Sequence, residues 1–106
     1  MGLTRDFIET VMVLCEDPKY RKALLLEIVE TYLDGDVETG NSMLKDYLNA
    51  TQSFDWIAEQ MGCKVESIRR MVGPKGNATS RNIFTLLKLC QRREGIESSE
   101  QLLACA

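Results

Sequence analysis

Between Phe54 and Gly73 the chain reads FDWIAEQMGCKVESIRRMVG. This is the stretch that most limits what the chain can fold into. It divides into two short amphipathic segments hinged at Gly62. Two helices that meet steeply across a short turn need a small residue where they cross, and Ala58 supplies it. They also need a residue that tolerates a left-handed backbone four positions later, and Gly62 does. Apolar side chains must fill the angle from both sides, and Ile57, Met61, Cys63, Ile68 and Met71 stand at those places. The spacing from Ala58 to Ile68 matches a helix-turn-helix. It also fits an ordinary pair of core helices, so the outward residues have to decide between the two.

With Ile68, Met71 and Val72 turned inward, the second segment is left with Lys64, Glu66, Ser67, Arg69 and Arg70 outside. A helix of this kind can lie in a major groove with its N-terminal part at the base edges. Arginine reads guanine through paired hydrogen bonds, a carboxylate such as Glu66 accepts from cytosine, and lysine neutralises phosphate. The breaker-rich loop that follows, Gly73-Pro74-Lys75-Gly76-Asn77, adds Lys75 and Asn77 as candidate backbone contacts. Ser80 and Arg81 extend the set, and the N–H groups that open the last helix are a further place for a phosphate. Lys88, Arg92 and Arg93 lie further along and are expected to be mainly solvated.

Charge supports a divided surface. Residues 1–63 carry 5 basic and 12 acidic side chains, whereas residues 64–95 carry 8 basic and 2 acidic. The formal net charge of -3 conceals this split. A basic segment beside an acidic one points to an anionic partner for one part of the chain, or to a solvated helix face.

The rest of the chain reads as helical, because apolar residues recur near every 3.6 positions and alternating β-branched runs are missing. A first helix from Thr4, capped by that threonine, carries Phe7, Ile8, Val11, Met12, Leu14 and Cys15 as one stripe. Asp17-Pro18 ends it and starts a second helix, with Asp as cap and Pro at the first helical position. Leu24, Leu25, Leu26, Ile28, Val29, Tyr32 and Leu33 cover so much of that helix that it needs contacts on more than one side. Asp36 caps a third helix over Val37–Asn49, with Leu44, Tyr47 and Leu48 inward and Met43 beside them. Ser53 is the expected cap of the helix that carries Ala58, and Ser80 that of a last helix with Ile83, Leu86, Leu87 and Cys90 inward and Phe84 beside them. Gly95 ends it. The expected organisation is a helical hairpin over 1–35, a helix-turn-helix domain over 36–95 and a tail over 96–106.

With these residues in view, residues 37–95 resemble the lambda-repressor-like (XRE-type) helix-turn-helix domain. The resemblance rests on IAEQMGCKVESIRRMVGPKGN, above all Ile57-Ala58, Gly62, Ile68 and Gly76-Asn77. The last pair is similar to the G-N-P step that follows the recognition helix in bacterial addiction-module antidote proteins, with Ala78 here in place of the proline. LTRDFIETV and DGDVETGNSMLKDYLNAT look like a small-regulator group within that set. The resemblance implies an all-α bundle and a homodimer that binds an operator in its own promoter. More weakly, it implies a cognate toxin protein. At the head of the first motif helix stand Phe54 and Asp55, where many relatives carry phosphate-binding polar groups such as glutamine. Asp55 and Glu59 would repel a phosphate backbone. The fifth helix of the usual domain is short or missing, so the hairpin over Leu3–Leu33 is the expected dimer contact.

Other classes fit poorly. The sequence has no histidine, no GxxxxGK[ST] and no G-x-S-x-G, so neither an enzyme nor a bound cofactor is expected. Cys15, Cys63, Cys90 and Cys105 form no C-x-x-C pair and read as small buried hydrophobes rather than metal ligands, Cys105 being the one expected at the surface. The N-terminus lacks a basic start followed by an apolar run, which predicts a cytoplasmic protein with no membrane association. Phe54 and Trp56, at the start of an amphipathic helix, read as core or rim packing. The alternative to a DNA-binding regulator is a protein-interaction adaptor, an antitoxin whose acidic N-terminal hairpin holds a basic partner.

Overall fold

A computed structural model describes residues 5–76 and 78–96 of the chain. These residues form six helices: α1 (Arg5–Leu14), α2 (Pro18–Leu33), α3 (Val37–Ala50), α4 (Phe54–Met61), α5 (Val65–Met71) and α6 (Ser80–Arg93). No strand occurs among the described residues, so the fold they make is all-α. None of these helices is long and apolar enough to cross a membrane.

Local chemistry sets the boundaries. Asp17 accepts from the Lys19 N–H at 2.9 Å, with Pro18 opening α2. Asp36 accepts from the Thr39 N–H and so starts α3. Gly35 and Gly95 take positive φ after α2 and α6. Two expected caps are corrected. Ser53 precedes α4 but makes no capping bond; its hydroxyl pairs with Thr51, which in turn donates to the Tyr47 carbonyl. Thr51 gives its proton to the Tyr47 carbonyl, so Ser53 donates to Thr51, and its backbone at φ -99°, ψ -4° lacks the extended conformation that turns a capping oxygen toward the helix N–H groups. At α6 the cap is Thr79, which accepts from the Asn82 N–H, and Ser80 is the first helical residue. Thr4, the expected cap of α1, lies outside the described residues.

One core runs through α2 to α6. Leu25 and Ile28 of α2, Leu44, Tyr47 and Leu48 of α3, and Phe54, Ile57 and Ala58 of α4 bury their side chains together. Ile68 and Val72 join from α5 and beyond, and Leu86, Leu87, Leu89 and Cys90 from α6. Close approach of α2 to α3 depends on Gly40: a Cβ there would stand 2.7–2.9 Å from three atoms of the Tyr32 ring. The same ring donates its hydroxyl to Asn41 at 2.6 Å, which fixes it across the helix pair.

α1 packs on α3, and α2 packs on α3 and α6. The apolar stripe of α1 is only partly used: Val11 and Met12 are half-buried and Cys15 is buried just past its end, while Phe7, Val13 and Leu14 stay exposed. Phe84, placed beside the inward face of α6 from sequence, is instead 62% exposed, and Leu89 is buried. The buried stripe of α6 is thus centred toward Leu89 and away from Phe84. Cys15 and Cys90 are buried and Cys63 half-buried; Cys105 lies outside the described residues. Burial pushes the Cys90 thiol up to about 12.

A polar network ties the two ends together. Arg21 Nε donates to both oxygens of Glu94, at 2.9 and 3.2 Å. Its Nη1 donates to the Cys15 carbonyl at 2.7 Å and the Glu16 carbonyl at 3.3 Å, which are otherwise free at the end of α1. Tyr47, fully buried, donates its hydroxyl to the same Glu94 carboxylate.

Candidate nucleic-acid interface

The helix pair α4–α5 is built around its glycine. Gly62 sits at φ +67°, ψ +34°, the left-handed region that ends α4. The next N–H, of Cys63, reaches back to the Ala58 carbonyl at 3.0 Å, closing the helix end in the Schellman manner. A Cβ on Gly62 would meet nothing within 4 Å, so the requirement here is backbone conformation and not space. Lys64 is extended and precedes α5 without a side-chain cap.

Residues proposed for the motif core divide by depth. Ile57, Ala58 and Ile68 are buried, as is Val72. Met61, Met71 and Cys63 are half-buried and pack against the same cluster. Ile68 is the central knob: it is fully buried where α5 leans on α4. With that side inward, Lys64, Glu66, Arg69 and Arg70 are exposed, and Ser67 is half-buried. Lys75, Ser80 and Arg81 are exposed as well. Asn77 lies outside the described residues. Asp55 and Glu59 are exposed on α4, so their charges stand on the motif surface too.

The loop after α5 is held by Gly76. Its N–H donates to the Gly73 carbonyl at 2.9 Å. A Cβ on Gly76 would run into the Met71 carbonyl oxygen and stand 2.9 Å from those of Arg70 and Gly73. These are backbone atoms of the end of α5 and of the loop, so they cannot swing aside. Gly76 therefore fixes how the chain leaves α5. At the head of α6, the Asn82 N–H is already taken by Thr79, which leaves fewer backbone donors there than the sequence alone predicted.

Two arginines lie over the aromatic pair at the start of α4. The Arg69 guanidinium carbon is 4.2 Å from the Phe54 ring centroid, and that of Arg93 is 5.3 Å from the Trp56 ring. Phe54 is buried and Trp56 half-buried. Sequence reasoning took both rings as packing residues, and they are. It missed their second use as platforms for cations from α5 and α6, because no short-range pattern links Phe54 to Arg69.

The chemistry of this face is electrostatic and hydrogen-bonding. Exposed guanidinium and ammonium groups stand beside one carboxylate, Glu66, on a short helix braced by a buried isoleucine. No group of three or more metal-ligating side chains occurs among the described residues. Compared with protein-family models, with curated proteins and with solved structures, the chain matches none.

Proposed function

We propose that this protein is a DNA-binding transcriptional regulator of lambda-repressor-like type that places α5 in the major groove of an operator, acting as an antidote-like autorepressor and as a homodimer. The observation that carries this reading is the α4–Gly62–α5 unit: a left-handed glycine and a fully buried Ile68 set the angle, and Lys64, Arg69 and Arg70 stand exposed on the other side of α5. A helix braced in this way presents a rigid face to base edges, and flanking cations meet the strand backbone. Lys75 and Arg81 add cations on the segments that follow. With about six phosphate contacts per dimer, log K should fall with log salt at a slope near -5.

The test is a gel shift of the protein against the DNA upstream of its own gene, beside Arg69→Ala/Arg70→Ala, at two salt concentrations. The wild type should be retarded, with retardation that weakens with salt and is lost in the double variant. Retardation by the folded double variant equal to wild type would overturn it.

One observation favours a second activity on a different face. Val13 and Leu14 of α1 are exposed, 63% and 42%, on the acidic part of the chain. A protein partner, either a second copy or a basic toxin, would cover such side chains. Mass measurement in solution, alone and after co-expression with the product of a neighbouring gene, decides whether that face is occupied. A monomer at micromolar concentration with no co-purifying protein would remove this second reading.

A further inference from the structure

Arg69 is the exposed cation of α5 whose position is fixed by a neighbour. Its guanidinium lies over the ring of Phe54, the first residue of α4, which is 5% exposed and belongs to the core. Among the described residues Arg69 makes no ion pair. The guanidinium thus lies against an aromatic ring, and among the described residues its N–H groups make no hydrogen bond to the protein, which leaves them for an outside partner. Stacking of this kind holds a guanidinium in place without using its hydrogen-bond donors.

We propose that Arg69 is a phosphate clamp with Phe54 as its positioning residue, so that Arg69 contributes affinity without sequence preference. This rests on the reading of α5 as the groove helix. Three features support it. Arg69 lies in the last turn of α5, whereas base edges face the N-terminal part of such a helix. The stack draws its guanidinium toward the head of α4, the helix that crosses the strand backbone in this motif. The exposed carboxylate of Asp55 stands in that same first turn of α4, where it would repel a phosphate. Arg69 places a cation at the end of α4 where that repulsion arises. A fixed planar fork also matches two phosphate oxygens better than a mobile ammonium does.

The experiment measures binding by fluorescence anisotropy across a salt series. Two labelled probes are used: a mixed-sequence duplex, and a duplex enriched from a random pool by the wild-type protein. Arg69→Ala is expected to reduce the salt slope by about 0.9 per protomer, which amounts to roughly eightfold weaker binding per protomer, or about 60-fold for a dimer, at ~0.1 M salt. The loss should be equal on both duplexes, so their affinity ratio stays the same. Phe54→Leu keeps the charge and hence the slope, but weakens binding by about twofold to fivefold per protomer. Phe54→Tyr restores it, and Phe54→Leu adds nothing in the Arg69→Ala background. Arg69→Lys leaves the core untouched and retains the slope while losing the fork, so it serves if Phe54→Leu does not fold.

An Arg69→Ala loss confined to the enriched duplex, with the slope unchanged, would make Arg69 a base reader and overturn the proposal. Equal harm from Phe54→Leu with and without Arg69 would reduce Phe54 to a packing residue and overturn it as well. Wild-type protein that binds neither duplex removes the DNA-binding reading, and the clamp with it. Wild-type binding with Arg69→Ala indistinguishable from it removes the clamp alone.

Discussion

Replacing Arg21 with Met should destabilise the protein far more than loss of an ordinary surface ion pair. The Glu94 side chain is 3% exposed and depends on Arg21 Nε for both its oxygens, while Tyr47 supplies one further hydrogen bond. Arg21→Met leaves that carboxylate buried with a single neutral donor. It also strips the Cys15 and Glu16 carbonyls at the end of α1 of their donor. Removing one partner of a buried pair costs about 3–5 kcal/mol. Arg21 itself is 25% exposed, so water softens the loss, and about 3 kcal/mol is the appropriate figure. For a domain of this size that lowers the melting temperature by roughly 12–24 °C. Urea unfolding followed by circular dichroism measures it, with the denaturant slope unchanged. Arg21→Met/Glu94→Gln keeps an acceptor for Tyr47 and removes the orphaned charge. The double variant should therefore cost about 1–2 kcal/mol less than the sum of the two single variants. A cost for Arg21→Met below about 0.5 kcal/mol, the range of exposed pairs, or strict additivity in the cycle, would refute the reasoning.

Three other outcomes follow from particular atoms. Gly76→Ala forces a Cβ into carbonyl oxygens at the end of α5, so it should cost about 1–3 kcal/mol and weaken DNA binding beyond its effect on stability, read by urea unfolding and anisotropy. The Asp36 carboxyl is held below its ordinary value by its hydrogen bonds to Thr39, so the stability it adds is present above the usual aspartate range and is lost as pH falls through the lowered value. Asp36→Asn should keep the cap and remove that pH dependence, as seen by thermal melts between about pH 2 and 7. In thiol labelling of the folded protein, Cys63 should react ahead of Cys15 and Cys90, the latter protected by burial and by a thiol pushed up to about 12; mass spectrometry after pulse labelling separates them.

The fold was legible where local chemistry decides alone. Asp17-Pro18, Asp36 and Gly62 each satisfy or end a helix through their own atoms, and the bounds of α5 follow from Gly62 before it and Gly73-Pro74 after it. Legibility failed where a tertiary neighbour competes. Ser53 has capping chemistry, but Thr51 takes its hydroxyl. Phe84 sits at helical spacing with the inward stripe, yet the rotation of α6 leaves it outside and brings Leu89 in. Nothing local sets Glu94 apart from the other acids, and only the fold brings Arg21, remote in sequence, against it. At the candidate site, the spacing of Ala58, Gly62 and Ile68 was visible because sterics fix it. The stacking of Arg69 on Phe54 was not, since it depends on how α4 and α5 cross. Nor was the crowding around Gly76, which depends on where the carbonyls at the end of α5 point.

Methylation interference on the retarded complex tests whether α5 enters a major groove. Dimethyl sulfate marks guanine N7 in the major groove and adenine N3 in the minor groove, so one reagent reports on both. N7 methylation within the bound site should block complex formation, at guanines clustered on one face of the duplex, because Arg and Lys contacts to N7 and O6 lie there. A complex that tolerates N7 methylation throughout and is blocked only by N3 methylation would contradict it.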